Sequence, residues 1–260
     1  METLEQMDGR TYPPVGRCIY CGSTDTLTDE HIIPLALNGT GILPKSSCVA
    51  CAKITGAFEQ RVLRGALWPL RLATKMKSRS KHKDAPRSRS IQITNSAGAN
   101  STKEVGFGET PFTVTFPILC KPGKDYVKGV QFQGGIAYTI GGSVDDLPAK
   151  HQAVSVSWSE TVEPVAFALM VAKIAYATAI AQGAVFIGRP YVIPALLGEI
   201  DDIGRWVITL PKPFETRHEH LHRVNFIGSP EPDLLVAEVQ LWSNYGTPHY
   251  GVILGRIPTS

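Results

Sequence analysis

The chain has 260 residues with 26 Lys/Arg and 23 Asp/Glu, which gives a formal net charge of +3. Hydrophobic residues make up 43% of it and the mean hydropathy is −0.01. This composition describes a soluble globular protein with enough apolar residues for a core, in one large or two ordinary domains. Residues 1–14 contain three acidic residues and no apolar run, so we expect no secretory signal. Five cysteines, four of them in metal-binding spacing, favour the reducing cytoplasm.

Two Cys-x-x-Cys pairs dominate the N-terminal quarter. Cys18 and Cys21 form the first pair, and Cys48 and Cys51 form the second. Each pair places two sulfurs on one tight turn, and a metal that joins both turns completes a tetrahedral structural zinc site with four thiolates. Four ordinary buried thiols or two disulfides would explain the same residues. The matched spacings favour the zinc site.

The segment between the two pairs predicts two strands, and the segment after them predicts a helix. Ile32, Ile33 and Leu35 favour a strand, Asn38-Gly39 is typical of a hairpin turn, and Ile42-Leu43 begin a returning strand. After Cys51 the apolar residues recur at helical spacing, at Ile54, Phe58, Val62 and Leu63.

Together, Cys-x-x-Cys, the segment Glu30-His31-Ile-Ile-Pro34, and a Cys-x-x-Cys that opens a helix resemble the HNH endonucleases of the ββα-metal type. The resemblance covers about residues 15–70. It implies that His31 is the general base and that Glu30 binds a catalytic divalent metal (Mg, Mn, Ni or Zn). It also implies that the four cysteines hold a structural zinc, and that DNA is the substrate.

The chain departs from the family pattern at two positions. The helix ligand of the family often follows the last cysteine directly, where this chain has Ala52. The middle Asn of the family has no certain match, because Asn38 is equally explained as a turn residue. Glu59 shares a helix face with Ala52 and is the candidate second metal ligand, although a solvated carboxylate is an equal alternative. For His31, the alternative is a structural histidine that caps the hairpin.

Positive charge is concentrated directly after this unit. Residues 1–90 hold 14 Lys/Arg against 8 Asp/Glu, and residues 91–260 hold 12 against 15. Such a balance beside a nuclease-like motif predicts contact with a phosphate backbone. A solvated, disordered linker has the same composition, and a flexible basic tether satisfies both descriptions. The predicted nucleic-acid-binding residues are Arg61, Arg64, Lys75, Lys77, Arg79, Lys81 and Lys83.

Beyond residue 90 the sequence predicts short strands around one long helix. The helix begins at Pro164 and ends near Gly183. It is apolar on nearly every face, but Lys173 at its centre favours a buried core helix over a membrane span. The predicted strands are Ile91–Thr94, Phe112–Leu119, Gly129–Phe132, Ile136–Ile140, Ala153–Trp158, Val185–Ile187, Trp206–Leu210, Val224–Ile227, Leu234–Trp242 and Tyr250–Leu254.

The whole chain is therefore predicted to be an α+β protein in four segments. These are an N-terminal tail (1–14), an HNH-like ββα zinc domain (15–74), a basic linker (75–104) and an α+β domain of unknown role (105–260). In the last segment, His218, His220 and His222 alternate, as in a metal site or a basic edge, but a polar loop before a strand is the simpler interpretation.

Three functions of different classes agree with these features. The preferred one is a metal-dependent nuclease with no membrane partner. The second is a zinc-stabilised nucleic-acid-binding protein without catalysis. The third resembles the domain arrangement of anti-phage defence effectors, in which the C-terminal domain senses a protein partner or a small molecule.

Overall fold

The computed structural model describes residues 10–76, 88–159, 161–212 and 219–258. Its first unit is a strand pair followed by a helix, as predicted, but the first strand ends at His31, so its predicted residues Ile32, Ile33 and Leu35 lie in the connection after it. Strand β1 (Leu27–His31) pairs antiparallel with β2 (Ile42–Cys48), and helix α1 (Val49–Arg64) starts directly after β2. A shorter helix, α2 (Trp68–Ala73), follows α1.

The connection between β1 and β2 is longer than the tight hairpin that the sequence predicts. β1 ends at His31, and Leu35–Leu37 form a short 3-10 turn that ends at Asn38 in the left-handed region (φ 60°). A Cβ atom at Gly39 would lie 2.0 Å from the carbonyl oxygen of Ile33. The Asn-Gly pair therefore lets the backbone pass close to itself inside a wider loop.

Residues 88–159 contribute two small antiparallel sheets. In the first, β3 (Ser88–Thr94) lies between β4 (Asn100–Gly106) and β7 (Ser155–Ser157). The second pairs β5 (Phe112–Cys120) with β6 (Gln131–Ile140). The predictions missed β4 because its side chains are mostly polar and exposed, as expected for an edge strand without an apolar face. Two predicted strands merge into β6, where Gly135 lies so close to β5 that a Cβ would be 2.4 Å from Thr115. A short helix, α3 (Leu147–Lys150), precedes β7.

The C-terminal part contains a four-stranded antiparallel sheet. Its strands, in spatial order, are β8 (Val207–Thr209), β11 (Tyr250–Arg256), β10 (Leu234–Leu241) and β9 (His222–Ile227). The sheet packs against one long helix, α4 (Pro164–Ala181), which also contacts α1 of the first unit. The predicted strand at 185–187 is only a single bridge between Ile187 and Arg256. A short helix, α5 (Ile193–Leu196), follows α4 in the chain.

Helix α4 lies at the centre of the protein. Thirteen of its 18 residues are buried, which explains why it lacks a polar face. By length and composition alone it would pass as a membrane span, and the burial is that of a core helix. The hydrophobic core continues from the cysteine-rich unit through α4 into the C-terminal sheet. The α+β class with strands packed around one central helix is thus observed.

Candidate functional site

Four cysteine side chains converge where the N-terminal loop meets the start of α1. Their sulfur atoms all lie within 4.8 Å of one another, and the Sγ atoms of Cys21 and Cys48 are 3.7 Å apart. Zinc–sulfur bonds of about 2.3 Å in a tetrahedron place sulfurs about 3.8 Å apart. The thiols are not joined in disulfides. The donor set and the spacing therefore fit a zinc ion, and the predicted metal-binding cluster is confirmed.

The electrostatics of the cluster also favour a cation. Cys48 precedes the first turn of α1, and the backbone amide of Cys51 lowers the pKa of Cys48 to about 7. Burial and the neighbouring thiols instead raise the pKa of Cys51. Four sulfurs this close cannot all ionise without a positive charge between them, whereas a metal ligand must be a thiolate. The cluster is thus a site whose thiolate charge a metal ion would balance.

A second cluster lies on the opposite end of β1 and joins Glu30, Glu59 and Lys173. Nζ of Lys173 is 2.5 Å from Oε1 of Glu30 and 2.9 Å from Oε1 of Glu59. It also donates a hydrogen bond to the carbonyl of His31. The side chain of Lys173 is only 1% exposed, and those of Glu30 and Glu59 are 8% and 16% exposed. The two carboxylates that the sequence names as metal ligands therefore lie together, with an ammonium between them.

With both carboxylates ionised, these three side chains, two acids and one ammonium, carry a formal net charge of −1. Burial raises the pKa of Glu59, against the opposing effect of Lys173. Burial alone would lower the pKa of Lys173, but the two carboxylates outweigh it and raise the pKa to about 12. Lys173 therefore remains charged, and each carboxylate has a second oxygen beside the one that Lys173 contacts.

Both carboxylates and His31 line one open cleft of about 420 Å³. The cleft is walled by the end of β1, the loop after it and the exposed face of α1. Ala52, which has no donor atom, and Gly56 line it on α1, and Glu59 follows on the same face. Arginines contribute to another part of the wall, at Arg64 and Arg71. Acidic, imidazole and cationic groups thus share one solvent-accessible space.

The predicted nucleic-acid-binding residues are distributed unevenly around this cleft. Arg64 lines it. Arg61 is exposed and forms an ion pair with Glu163. Lys75 is exposed in the turn after α2. The remaining four, Lys77, Arg79, Lys81 and Lys83, lie outside the described residues. Their role in binding stays a prediction.

The histidine-rich segment does not form a metal site within the described residues. His218 lies outside them, and His222 is the first residue of β9. Nε2 of His222 donates to the carbonyl of Leu37 (2.8 Å), and Nδ1 accepts from the backbone amide of Trp242 (3.2 Å). Burial lowers the pKa of His222 to about 4, although the Leu37 contact opposes this. His222 is a neutral structural histidine that attaches β9 to the loop after β1.

Two residues of the cleft were missed by sequence reasoning. Lys173 was used only as evidence against a membrane span, although a lysine at the centre of a buried helix requires carboxylate partners. That requirement is a usable signal, and Glu30 and Glu59 are two of the four acidic residues between residues 15 and 70. Arg71 was hidden among the ten cations of the stretch from Arg61 to Arg89, and nothing in the sequence separates it from them.

Comparisons of the chain with protein-family models, with curated proteins and with solved structures find no match. The geometry of the two clusters and of the cleft therefore carries the functional argument.

Proposed function

We propose that the protein is a metal-dependent endonuclease of the HNH type that hydrolyses phosphodiester bonds in DNA. The observation that supports it most is the position of His31, at the end of β1, on the wall of a cleft shared with Glu30 and Glu59. The order of β1, β2 and α1 beside a four-cysteine cluster agrees with the ββα-metal resemblance.

His31 acts as the general base. A neutral imidazole can accept the proton of the attacking water. The carbonyl of the same residue accepts a hydrogen bond from Lys173, which fixes the backbone that carries the ring. Lys173 thus acts as a positioning residue for both His31 and the two carboxylates.

Glu30 and Glu59 fit a divalent cation by donor type and by charge. Carboxylate oxygens suit magnesium or manganese, and the formal charge of the cluster with Lys173 included is −1 when both acids are ionised. Glu59 takes the place on α1 that Ala52 cannot fill. When bound, the cation supplies Lewis-acid stabilisation of the scissile phosphate and of the leaving oxygen.

The test is a plasmid-cleavage assay with magnesium, manganese, nickel or zinc added in turn. We expect cleavage with at least one metal, and its loss by about a hundredfold or more in His31→Ala, the usual range for removal of a general base. His220→Ala is the matched control, because this histidine lies outside the cleft. Zinc content and melting temperature verify that both variants are folded. Cleavage by His31→Ala at the wild-type rate would end the assignment.

The second candidate is a nucleic-acid-binding protein without catalysis. One observation favours it: the ammonium of Lys173 already contacts both carboxylates, so the site is partly neutralised without a metal. This alternative predicts salt-dependent retention of DNA and no cleavage with any of the four metals. The same assay separates the two candidates.

A further inference from the structure

The cleft contains a buried cation that the proposed mechanism does not use. Arg71 is 4% exposed, yet it lines the cleft. Its Nε donates to the carbonyl of Ala36 (2.8 Å), and its Nη1 donates to the carbonyl of Leu63 (2.8 Å). These are the only hydrogen bonds of its side chain within the part of the chain that the structure describes. No carboxylate among those residues pairs with its guanidinium.

The two carbonyls explain how Arg71 is held, but they do not balance its charge. Leu63 lies in the last turn of α1, where carbonyls without helical partners form the negative end of the helix. Such dipoles satisfy individual N–H groups and supply only part of a counter-charge. A buried ion without a partner of opposite sign destabilises a fold by several kcal/mol. The charge of Arg71 can therefore be balanced by an anion that binds in the cleft.

The surroundings of Arg71 strengthen this argument. Burial lowers the pKa of Arg71, and the nearby cation Arg64 lowers it further. Both arginines line the same cleft, on a part of the wall separate from its two buried carboxylates, and neither forms an ion pair with another described residue. The ring of Trp68 packs against the guanidinium, with Cζ 5.4 Å from the ring centroid. The ring and the two carbonyls hold the guanidinium plane in one orientation.

We propose that Arg71, assisted by Arg64, binds the anionic phosphoryl group of the substrate in the cleft. A guanidinium has five N–H donors in a planar fork that matches phosphate oxygens, and Arg71 uses two of these donors for carbonyls. The identification of that phosphoryl group with a DNA phosphodiester rests on the proposed nuclease function. The phosphate site itself does not. Arg71 binds the anion, while in the proposed function His31 accepts the proton of the attacking water and the Glu30–Glu59 pair would hold the divalent cation.

The experiment measures binding separately from cleavage. Dissociation constants for a short fluorescent single strand and for its duplex are determined over a range of sodium chloride, with no divalent metal added. The proteins are the wild-type chain, Arg71→Gln, Arg71→Lys and Arg64→Gln. The matched control is Lys53→Gln, an exposed residue of α1 that does not line the cleft. In a second arm, inorganic phosphate is titrated against wild-type melting temperature at constant ionic strength.

We expect Arg71→Gln to weaken oligonucleotide binding at least about tenfold and to reduce the slope of log K against log[salt] by about one. Arg71→Lys should lose most of the same affinity, since it keeps the charge but not the fork. Lys53→Gln should change affinity less than about twofold. Phosphate should raise the wild-type melting temperature and compete with the oligonucleotide.

Different results separate this inference from the nuclease proposal. Wild-type affinity in folded Arg71→Gln, or in Arg71→Lys if the Gln variant does not fold, would overturn the role of Arg71. Stabilisation by phosphate without Arg71-dependent oligonucleotide binding would overturn the nucleic-acid substrate and leave a site for free phosphate. Failure of every metal to support cleavage, with Arg71-dependent binding intact, would overturn only the nuclease proposal.

Discussion

The two charged clusters of the N-terminal unit differ in how they are assembled. The cysteine cluster takes its four ligands from residues 18–51 and needs only a metal to balance it. The carboxylate cluster takes Glu30 from β1 and Glu59 from α1, but its cation comes from Lys173 in the central helix. One cluster is local in sequence and the other is completed by a residue more than a hundred positions away.

This difference assigns the clusters different tasks. A closed set of four sulfurs leaves no position for a substrate, so it stabilises the fold. The carboxylate cluster lies on an open cleft, and in the proposed function it holds a further cation. The same strand, β1, begins near the first cluster and ends at the second. Folding of the cysteine-rich unit therefore also sets the position of His31.

Removal of one sulfur should have the largest effect. Cys48→Ser breaks the four-thiolate set, and structural zinc contributes on the order of 10 kcal/mol in small zinc peptides. We expect loss of bound zinc and unfolding of the N-terminal unit, measured by metal analysis and circular dichroism. Cys120→Ser is the matched control, because Cys120 lies outside the cluster. Wild-type zinc content and stability in Cys48→Ser would show that the cluster is not a structural metal site.

Removal of the central ammonium should have the next largest effect. Lys173→Met leaves Glu30 and Glu59 buried beside each other without a cation, which we expect to lower the free energy of unfolding by about 3–5 kcal/mol. Denaturant unfolding measures this loss. The double variant Lys173→Met/Glu59→Gln removes one of the two carboxylate charges and should recover at least about 1 kcal/mol. A Lys173→Met protein as stable as wild type would mean that the cluster does not hold α4 against β1.

The third prediction concerns the histidine that attaches the C-terminal sheet to the same loop. The pKa of His222 is about 4 in the folded protein and about 6.5 when unfolded, so below pH 6.5 the unfolded state binds more protons. The contribution of neutral His222 to the free energy of unfolding is therefore complete above about pH 6.5. It is lost as the pH falls towards 4, by at most about 3 kcal/mol. Denaturant unfolding between pH 7 and 4 measures this slope.

His222→Gln is the control for that measurement, because its amide can still donate to the Leu37 carbonyl but does not titrate. We expect a shallower loss of stability over the same range. The pKa of Glu238 gives a separate window at lower pH. Burial would raise that pKa, but hydrogen bonds from His249 and Lys212 outweigh it and lower the pKa to about 2. An unchanged slope in His222→Gln would contradict the neutral assignment of His222.

Local patterns in the sequence predicted the parts of the fold and site that neighbouring residues determine. Cysteine spacing identified the sulfur cluster, apolar periodicity identified α1, and a long apolar run between Pro164 and Gly183 identified α4. Long-range pairing was not predictable in the same way, because the partner of Glu30 is decided by how α4 packs on β1. The strand β4 was missed since it lacks an apolar face. Arg71 became distinct from neighbouring cations only once its burial was known.

The position of α4 also limits how this protein can be recombined with related ones. Within about one helical turn, Lys173 donates to the carbonyl of His31 and Tyr176 donates to the carbonyl of Ile19 (2.6 Å). In a chimaera whose sequence crossover lies between the cysteine-rich unit and α4, the helix of one parent would have to contact these carbonyls and the carboxylates of Glu30 and Glu59 from the other parent. Chimaeras that inherit residues 10–64 and 164–181 from one parent should fold more often than those that mix parents.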